Sequence, residues 1–131
     1  MSKNNLIILL ILVVPIIAYY VLAKNETNSI VEAKNGTPQM IKFSSRMCYD
    51  CQQLEEVVKE VYPSFENKVL LTNVSVQDNS SATQTMIKKY HVKLVPTSIF
   101  LNKNGEIKAT VEGMMDKATL EKHLNEISNN G

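Results

Sequence analysis

Apolar residues form one long run near the start of the chain and shorter periodic groups after it. Residues 6–23 contain no charged residue, and a helix of that length would be about 27 Å long, close to the thickness of the hydrocarbon core of a bilayer. Lys3 precedes the run and no acid does, so the pattern predicts a short cytoplasmic segment at 1–5, a single transmembrane anchor at 6–23 and an exported remainder. A cleaved signal peptide is the alternative, because Val21-Leu22-Ala23 has the small-residue pattern of a cleavage site.

The exported part divides into a polar linker at 24–37, rich in Asn, Thr, Ser and Glu, and a domain at 38–128. Apolar positions in the domain follow strand periodicity in some segments and helix periodicity in others, with Pro, Gly and Ser marking the boundaries. The predicted order is strand (39–43), helix (from 48 to a stop at Pro63), strand (69–76), helix (begun by Ser80 or Ser81), strand (97–101), strand (107–111) and helix (begun by Asp116).

Alternation of strands and helices, followed by a hairpin and a last helix, is typical of an α/β domain. The turn Asn104-Gly105 favours a hairpin between the last two strands. The sequence therefore predicts a central mixed β-sheet covered by helices on both faces and preceded by one N-terminal transmembrane helix.

The charge balance of the chain bears on whether the protein binds nucleic acid. Lys and Arg total 14 and Asp and Glu total 13 among 131 residues, which gives a net charge of +1. This leaves no electrostatic case for binding nucleic acid.

A metal site would need about four ligands, and His91 and His123 are each more typical of structural positions. We expect no metal and no cofactor.

The only two cysteines of the chain form the motif Cys48-Tyr49-Asp50-Cys51 just before a predicted helix. Two cysteines at this spacing can cycle between a dithiol and a disulfide, and a helix N-terminus stabilises a thiolate on the first sulfur. A purely structural disulfide would close too short a loop to stabilise the chain much. The pattern predicts Cys48 as the exposed attacking thiolate and Cys51 as the more buried resolving thiol.

From Pro38 to Ile127 the chain resembles the thioredoxin-fold family. Within that family it is similar to the C-terminal periplasmic domain of the thiol–disulfide interchange protein DsbD. Besides CYDC, the resemblance rests on TNVSVQDNSSATQTMIKKYHVKLVPTSIFLNKNGE and on VEGMMDKATLEKHL, which includes Gly113. It implies a thioredoxin-like fold and thiol–disulfide exchange.

The resemblance also implies a substrate-binding surface. Pro96 should follow a cis peptide bond and lie against the sulfurs, so that the backbone of Val95 can pair with an extended substrate segment. Met47 stands where the family commonly has Trp. We therefore expect Val95, Pro96 and Met47 to contact substrate, whereas a trans proline that merely opens a strand is the alternative.

One departure from the family concerns proton transfer. The family usually carries a buried acid six residues before the first cysteine, and this chain has Lys42 there. Glu55 lies four residues after Cys51 on the same helical face and is the candidate replacement, acting as a third catalytic residue. Lys42 would then reach solvent or pair with an acid such as Glu55. In the alternative, Glu55 is a solvated residue paired with Lys59.

Together these features predict a membrane-anchored, extracytoplasmic thiol–disulfide oxidoreductase, on the periplasmic or outer side of the cell membrane. It would take reducing equivalents from a membrane thiol reductase and pass them to exported protein disulfides or apocytochrome cysteines, acting as a monomer. A disulfide-forming oxidase and a non-catalytic partner-binding module of the same fold are the alternatives.

Overall fold

The computed structural model describes residues 3–24 and 36–129, with side chains described at 3–20 and 36–129. The predicted linker at 24–37 lies almost entirely outside the described residues. An N-terminal helix, α1 (Lys3–Lys24), precedes an α/β domain. The domain consists of β1 (Gln39–Ser44), α2 (Tyr49–Val61), a 3₁₀ turn (Tyr62–Ser64), β2 (Leu70–Ser75), α3 (Ser81–Lys89), β3 (Thr97–Leu101), β4 (Ile107–Glu112) and α4 (Lys117–Asn129).

The four strands form one mixed sheet in the order β2-β1-β3-β4. β1 pairs with β2 in parallel, while the β1–β3 and β3–β4 pairs are antiparallel. β1 and β3 are the two central strands, and nearly every residue in them is buried. The predicted order of elements and the mixed sheet are confirmed.

Alternating residues of the central strands point into two separate cores. On one face, Met40 and Phe100 pack against α2 and α4 in a cluster that includes Leu54 and Leu124. On the other face, the cluster consists of Ile41, Phe43, Val74, Ile99 and Leu101 with Met86 of α3. Alternation along a strand places these residues on opposite faces of the sheet. Helices pack against both clusters, which confirms that helices cover both sides of the sheet.

Capping residues fix where the helices of the domain begin and end. Ser80 caps α3, because its Oγ accepts a hydrogen bond from the backbone N–H of Thr83 at 3.2 Å. Asp116 caps α4 in the same way through Thr119, at 2.8 Å. α2 ends at Val61, and Pro63 lies in the 3₁₀ turn that follows, as expected for a residue that cannot continue a helix.

α1 is the one helix in the described part of the chain that is long and apolar enough to cross a membrane. Its 22 residues span about 33 Å, and the mean hydropathy of its first 18 residues is 1.8. The side chains at 3–20 are all exposed, and the apolar ones among them are distributed around all faces of the helix. A helix that is apolar on every side and buries none of it in the domain is typical of a membrane span or of a signal sequence.

Candidate active site

Cys48 occupies the N-cap position of α2. Its backbone is extended (φ −94°, ψ 115°), and its Sγ accepts a hydrogen bond from the backbone N–H of Cys51 at 3.1 Å. The strand β1 ends at Ser44, and a short loop connects this central strand to Cys48 at the start of α2. The unpaired N–H groups of the first helical turn stabilise negative charge on this sulfur.

Cys48 and Cys51 form a disulfide, with their Cα atoms 5.2 Å apart. Cys51 is buried, with 5% of its surface exposed, whereas Cys48 is half-buried. A partner can therefore approach Cys48 from solvent more readily than Cys51. The assignment of Cys48 as the attacking sulfur and Cys51 as the resolving one remains a prediction.

The Val95–Pro96 peptide bond, which lies just before β3, is cis, as the resemblance implied. The carbonyl oxygen of Val95 lies 3.7 Å from Cys48 Sγ, so this loop contacts the disulfide directly. Gly113 lies at a positive φ of 88° and donates its backbone N–H to the carbonyl oxygen of Pro96 at 2.7 Å. The hydrogen bond ties the loop to the end of β4.

Three exposed apolar side chains belong to the two segments that meet at the disulfide. Met47 is 89% exposed, Tyr49 is 72% exposed and Leu94 is 46% exposed. Met47 and Tyr49 flank Cys48 in sequence, and Leu94 precedes Val95 in the loop that touches it. The sequence predicted Met47 but missed Tyr49 and Leu94, although the position of Tyr49 between the two cysteines was a signal for it.

Lys42 and Glu55 form an ion pair between the sheet and α2. The Nζ of Lys42 donates a hydrogen bond to Oε2 of Glu55. The lysine side chain is 2% exposed and the glutamate side chain is 43% exposed. Of the two outcomes that the sequence left open for Lys42, solvent or an acid such as Glu55, the structure has the second. Lys59, the alternative partner of Glu55, is paired with Glu56 at 2.9 Å.

A cavity of about 510 Å³ borders Glu55 and Cys51. It is lined by Ser44, Ser45, Arg46, Cys51, Gln52, Glu55, Glu56, Lys59 and Ser75. The pKa of Lys59 is raised from its ordinary value because Glu56 accepts its hydrogen bond and carries the opposite charge. Glu55 and Cys51 thus share one polar cavity on the α2 side of the disulfide.

A second cavity, of about 200 Å³, lies beside the Val95 loop and is mostly apolar. Its walls are Val76, Ile87, Val92, Lys93, Leu94 and Val95. The disulfide therefore has an apolar surface on the side of the cis-proline loop and a polar cavity on the side of α2.

Comparisons with known proteins match this geometry. The family model described as a thioredoxin-like domain matches residues 27–128. Thioredoxin from Rickettsia bellii is 28% identical over 107 residues, covering 79% of this chain and 97% of that protein. The thiol:disulfide interchange protein DsbD of Salmonella choleraesuis is also 28% identical over 107 residues, which cover 78% of this chain but 19% of DsbD.

Solved structures show the same fold. A thioredoxin-like protein from Clostridium perfringens superimposes with a TM-score of 0.64 and 28% sequence identity, covering 73% of this chain and 75% of that one. StoA from Bacillus subtilis superimposes with a TM-score of 0.58 and 21% identity, covering 69% of this chain and 84% of that one. The likeness to StoA concerns the fold alone.

The family model, the relatives and the disulfide at the start of α2 agree on one class of protein. The chain belongs to the thioredoxin-like family, and it is a thiol–disulfide oxidoreductase whose redox-active pair is Cys48 and Cys51.

Proposed function

We propose that this protein is a membrane-anchored, extracytoplasmic thiol–disulfide oxidoreductase that reduces disulfides of exported proteins or of apocytochromes. The observation that carries the proposal is the combination of the Cys48–Cys51 pair with an apolar helix, α1, that precedes the domain. The similarity to DsbD supports a membrane thiol reductase as the electron donor. No nucleic acid and no cofactor is needed for this chemistry.

The exchange reaction uses both sulfurs in turn. The thiolate of reduced Cys48 attacks one sulfur of a partner disulfide, the partner S–S bond breaks, and the electron pair leaves on the other partner sulfur, which takes up a proton. Cys51 then loses its proton and attacks the Cys48 sulfur. The mixed disulfide breaks and the second partner sulfur leaves as a thiol. The protein ends as the Cys48–Cys51 disulfide, having passed two electrons and two protons to the partner.

The surface around Cys48 supports binding of an extended apolar segment of the partner protein. Val95 and Pro96 form the loop in contact with the disulfide, and Met47 is almost fully exposed beside it. Exposed apolar side chains grouped at one site are typical of surfaces that contact other proteins. We propose that Val95, Pro96 and Met47, together with Tyr49 and Leu94, contact the partner.

The proposed topology follows from α1 and its flanks. Lys3 lies before the apolar run, which favours a cytoplasmic N-terminus and an exported domain. An oxidising compartment is also where exported disulfides need a dedicated reductant. We propose that the protein is a single-pass membrane protein and a monomer.

Redox titration and trapping test the proposal together. A carrier of reducing equivalents should have a reduction potential in the range of thioredoxins, about −270 mV, rather than near the value of about −120 mV of a strong oxidase. The Cys51→Ser variant, expressed in membranes, should accumulate mixed disulfides with exported proteins. The Cys48→Ser variant is the matched control and should accumulate none.

Each outcome points to one function. A potential near −120 mV would make the protein a disulfide-forming oxidase. The absence of any reversible couple, with no trapped partner, would leave a partner-binding module without redox activity. Protease digestion of intact cells, repeated after opening of the outer barrier, locates the domain, and recovery of a soluble form that begins at Lys24 would replace the anchor with a cleaved signal peptide.

A further inference from the structure

The disulfide lies between two segments of opposite charge. The helix α2, which begins beside Cys48, carries four acids and one lysine, a net charge of −3. Residues 81–96, which comprise α3 and the cis-proline loop, carry three lysines and no acid, a net charge of +3 with His91 neutral. The described domain at 36–129 is neutral as a whole, with 11 basic and 11 acidic residues. The positive charge on one side of the disulfide is therefore a local feature and does not follow from the overall composition.

The three lysines of this segment, Lys88, Lys89 and Lys93, lie around the end of α3 and are all exposed. The helix ends in a tight cap, in which the backbone N–H of Val92 donates a hydrogen bond to the carbonyl oxygen of Ile87 at 3.0 Å. This cap folds the chain back onto the last helical turn, and Lys93 lines the same cavity as Ile87. The three lysines therefore form one group, which we call the lysine cluster.

The lysine cluster adjoins the loop that contacts the disulfide. Lys93 lies two residues before Val95, whose carbonyl oxygen is 3.7 Å from Cys48 Sγ, and two residues span at most about 7 Å. Among the described residues that line the apolar cavity beside this loop, Lys93 alone is charged. A segment of a partner that crosses the Val95 loop, or that places a side chain in the cavity, therefore comes within reach of the Lys93 ammonium.

The charges of the lysine cluster are not neutralised within the domain. Lys88 and Lys93 form no ion pair in the part of the chain that the structure describes. Lys89 contacts an aromatic ring, with its Nζ 5.3 Å from the centre of the Tyr90 ring. The nearest preceding acid in the sequence, Asp78, lies before the opposite end of α3, which is about 14 Å long. The cluster can therefore attract carboxylates of another protein.

We propose that the lysine cluster selects partner proteins whose disulfide lies in an apolar segment with acidic side chains on one side of the reactive cysteine. The inference rests on the proposed function and adds to it the chemistry of the partner. The lysines attract these carboxylates, whereas Asp50, between the two cysteines, and the acids of α2 repel them. The partner segment is therefore bound in one orientation, with its acidic side chains towards α3.

Rates of disulfide reduction test the proposal with three peptides that share one apolar segment. Each peptide has one cysteine joined through a disulfide to 2-thiopyridine, and its reduction by the reduced full-length protein in uncharged detergent releases a coloured thione. The Cys48–Cys51 dithiol becomes a disulfide, while the peptide disulfide becomes the peptide thiol and the thione. One peptide carries two glutamates before its cysteine, one carries them after it, and one has glutamine at all of these positions. Each rate is divided by the rate with dithiothreitol, which corrects for the intrinsic reactivity of the peptide.

The proposal predicts a preference for one of the two acidic peptides. At an ionic strength of about 0.01 M, where the Debye length is about 30 Å, we expect that peptide to react at least about fivefold faster than the glutamine peptide. The other acidic peptide should react no faster than the glutamine peptide, because its glutamates would face α2. At about 1 M salt, where the Debye length is about 3 Å, the preference should fall to within about twofold.

Two double variants locate the origin of the preference. Lys88→Gln/Lys93→Gln should reduce it at low salt to within about twofold, because the charges that attract the glutamates are gone. Lys68→Gln/Lys122→Gln is the matched control, since it removes the same charge from other exposed sites. Lys68 precedes β2 at the end of the sheet opposite to Cys48, and Lys122 is on α4, which packs on the other face of the sheet from α3. The control should keep the preference, and a general loss of activity does not affect a ratio measured within one protein.

An anionic membrane surface is the other partner that lysines of a membrane-anchored domain can meet. The observations favour a protein segment, because the cluster shares its cavity with the loop that contacts the reactive sulfur. Acetylation of lysines by an N-hydroxysuccinimide ester, read by mass spectrometry on protein in lipid vesicles, separates the two. Lys88 and Lys93 should be labelled equally fast, relative to Lys68 and Lys122, in vesicles of phosphatidylcholine with or without phosphatidylglycerol. Protection of Lys88 and Lys93 by phosphatidylglycerol alone would assign the cluster to lipid headgroups and overturn the inference.

Three results of the peptide assay would also overturn the inference: equal gains for both acidic peptides, no gain for either, or loss of the preference in the control variant as complete as in Lys88→Gln/Lys93→Gln. Equal gains would mean that the reaction responds to the charge of the peptide without regard to orientation. Failure of the proposed function has a different signature, since the reduced wild-type protein would then release the thione from none of the three peptides. Failure of this inference alone would leave release from all three peptides at similar rates or without dependence on the cluster.

Discussion

Removal of either partner of the Lys42–Glu55 ion pair should have unequal effects on stability. Glu55→Ala leaves a lysine whose side chain is 2% exposed without its partner, whereas Lys42→Met leaves a glutamate that is already 43% exposed. The glutamate can turn towards solvent on the helix surface. The lysine cannot, because it extends from the central strand of the sheet. The stability of the domain should therefore depend mainly on which charge is left behind.

The exposed fractions of the two side chains determine how much unfolding free energy each substitution should cost. Breaking a buried ion pair by removing one partner costs about 3–5 kcal/mol when the remaining charge is buried. We expect Glu55→Ala to lie near the lower end, about 3 kcal/mol, because water already reaches one side of the pair. Lys42→Met replaces the aliphatic stem of the lysine by an apolar chain of similar length, so we expect a change within about 1 kcal/mol of wild type.

Urea unfolding of the oxidised protein at pH 7 measures both effects, with the double variant completing the cycle. Lys42→Met/Glu55→Ala should be more stable than Glu55→Ala alone, because the second change removes the unpaired ammonium. Glu56→Ala is the matched control on the same helix and should change the free energy of unfolding little, since its ion pair is at the surface. Equal losses for Glu55→Ala and Lys42→Met would refute the argument from burial.

Two further predictions concern other polar groups of the domain. Ser98→Ala should leave the stability unchanged or raise it by up to about 1 kcal/mol in the same urea assay, because the buried Oγ has no hydrogen-bond partner among the residues that the structure describes. Asp116→Ala should lower the thermal midpoint at pH 7. The hydrogen bonds from Thr119 hold the pKa of Asp116 below its ordinary value, so this contribution is fully present at neutral pH, and the difference from wild type should shrink as the pH falls through that lowered pKa.

Local sequence signals were sufficient for most of the fold. The sequence predicted a strand at 39–43, and in such a strand Met40 and Ile41 point to opposite faces, as they do in the structure, where they lie in separate cores. Asp116, and either Ser80 or Ser81, were predicted as helix starts because aspartate and serine at that position satisfy free N–H groups, and Ser80 and Asp116 are the caps in the structure. These features depend on neighbouring residues in the chain, which a sequence pattern records directly.

Exposure at the sheet edge was harder to predict. The segment 107–111 has an apolar pattern that predicts a half-buried strand, yet Ile107 is 53% exposed because β4 is the edge strand of the sheet. Leu94 and Tyr49 were also missed as surface residues near Cys48. The position of Leu94 beside the disulfide depends on how the loop before β3 meets the start of α2, two segments more than 40 residues apart in the chain. Tyr49 lies between the two cysteines, so the motif itself was a signal for it.

The partner of Lys42 could be predicted only in part from the sequence. A lysine within an apolar strand must find a partner or solvent, so the sequence restricted Lys42 to a small set of acids that included Glu55. Helical spacing alone also allowed Glu55 to pair with Lys59, four residues further along the helix. Lys59 can equally pair with Glu56, three residues before it. The packing of α2 against β1 decides between them, and that packing involves residues distant in sequence.

The two charges of the Lys42–Glu55 pair differ in their access to water. The cation is in the strand, where its long side chain is buried and fixed by the sheet, while the acid is on the helix and borders a cavity open to solvent. Water can therefore reach Glu55 on the α2 side without passing the apolar surface formed by Met47, Leu94 and the Val95 loop. A partner protein bound on that surface would cover Cys48 but leave the cavity beside Cys51 accessible to water.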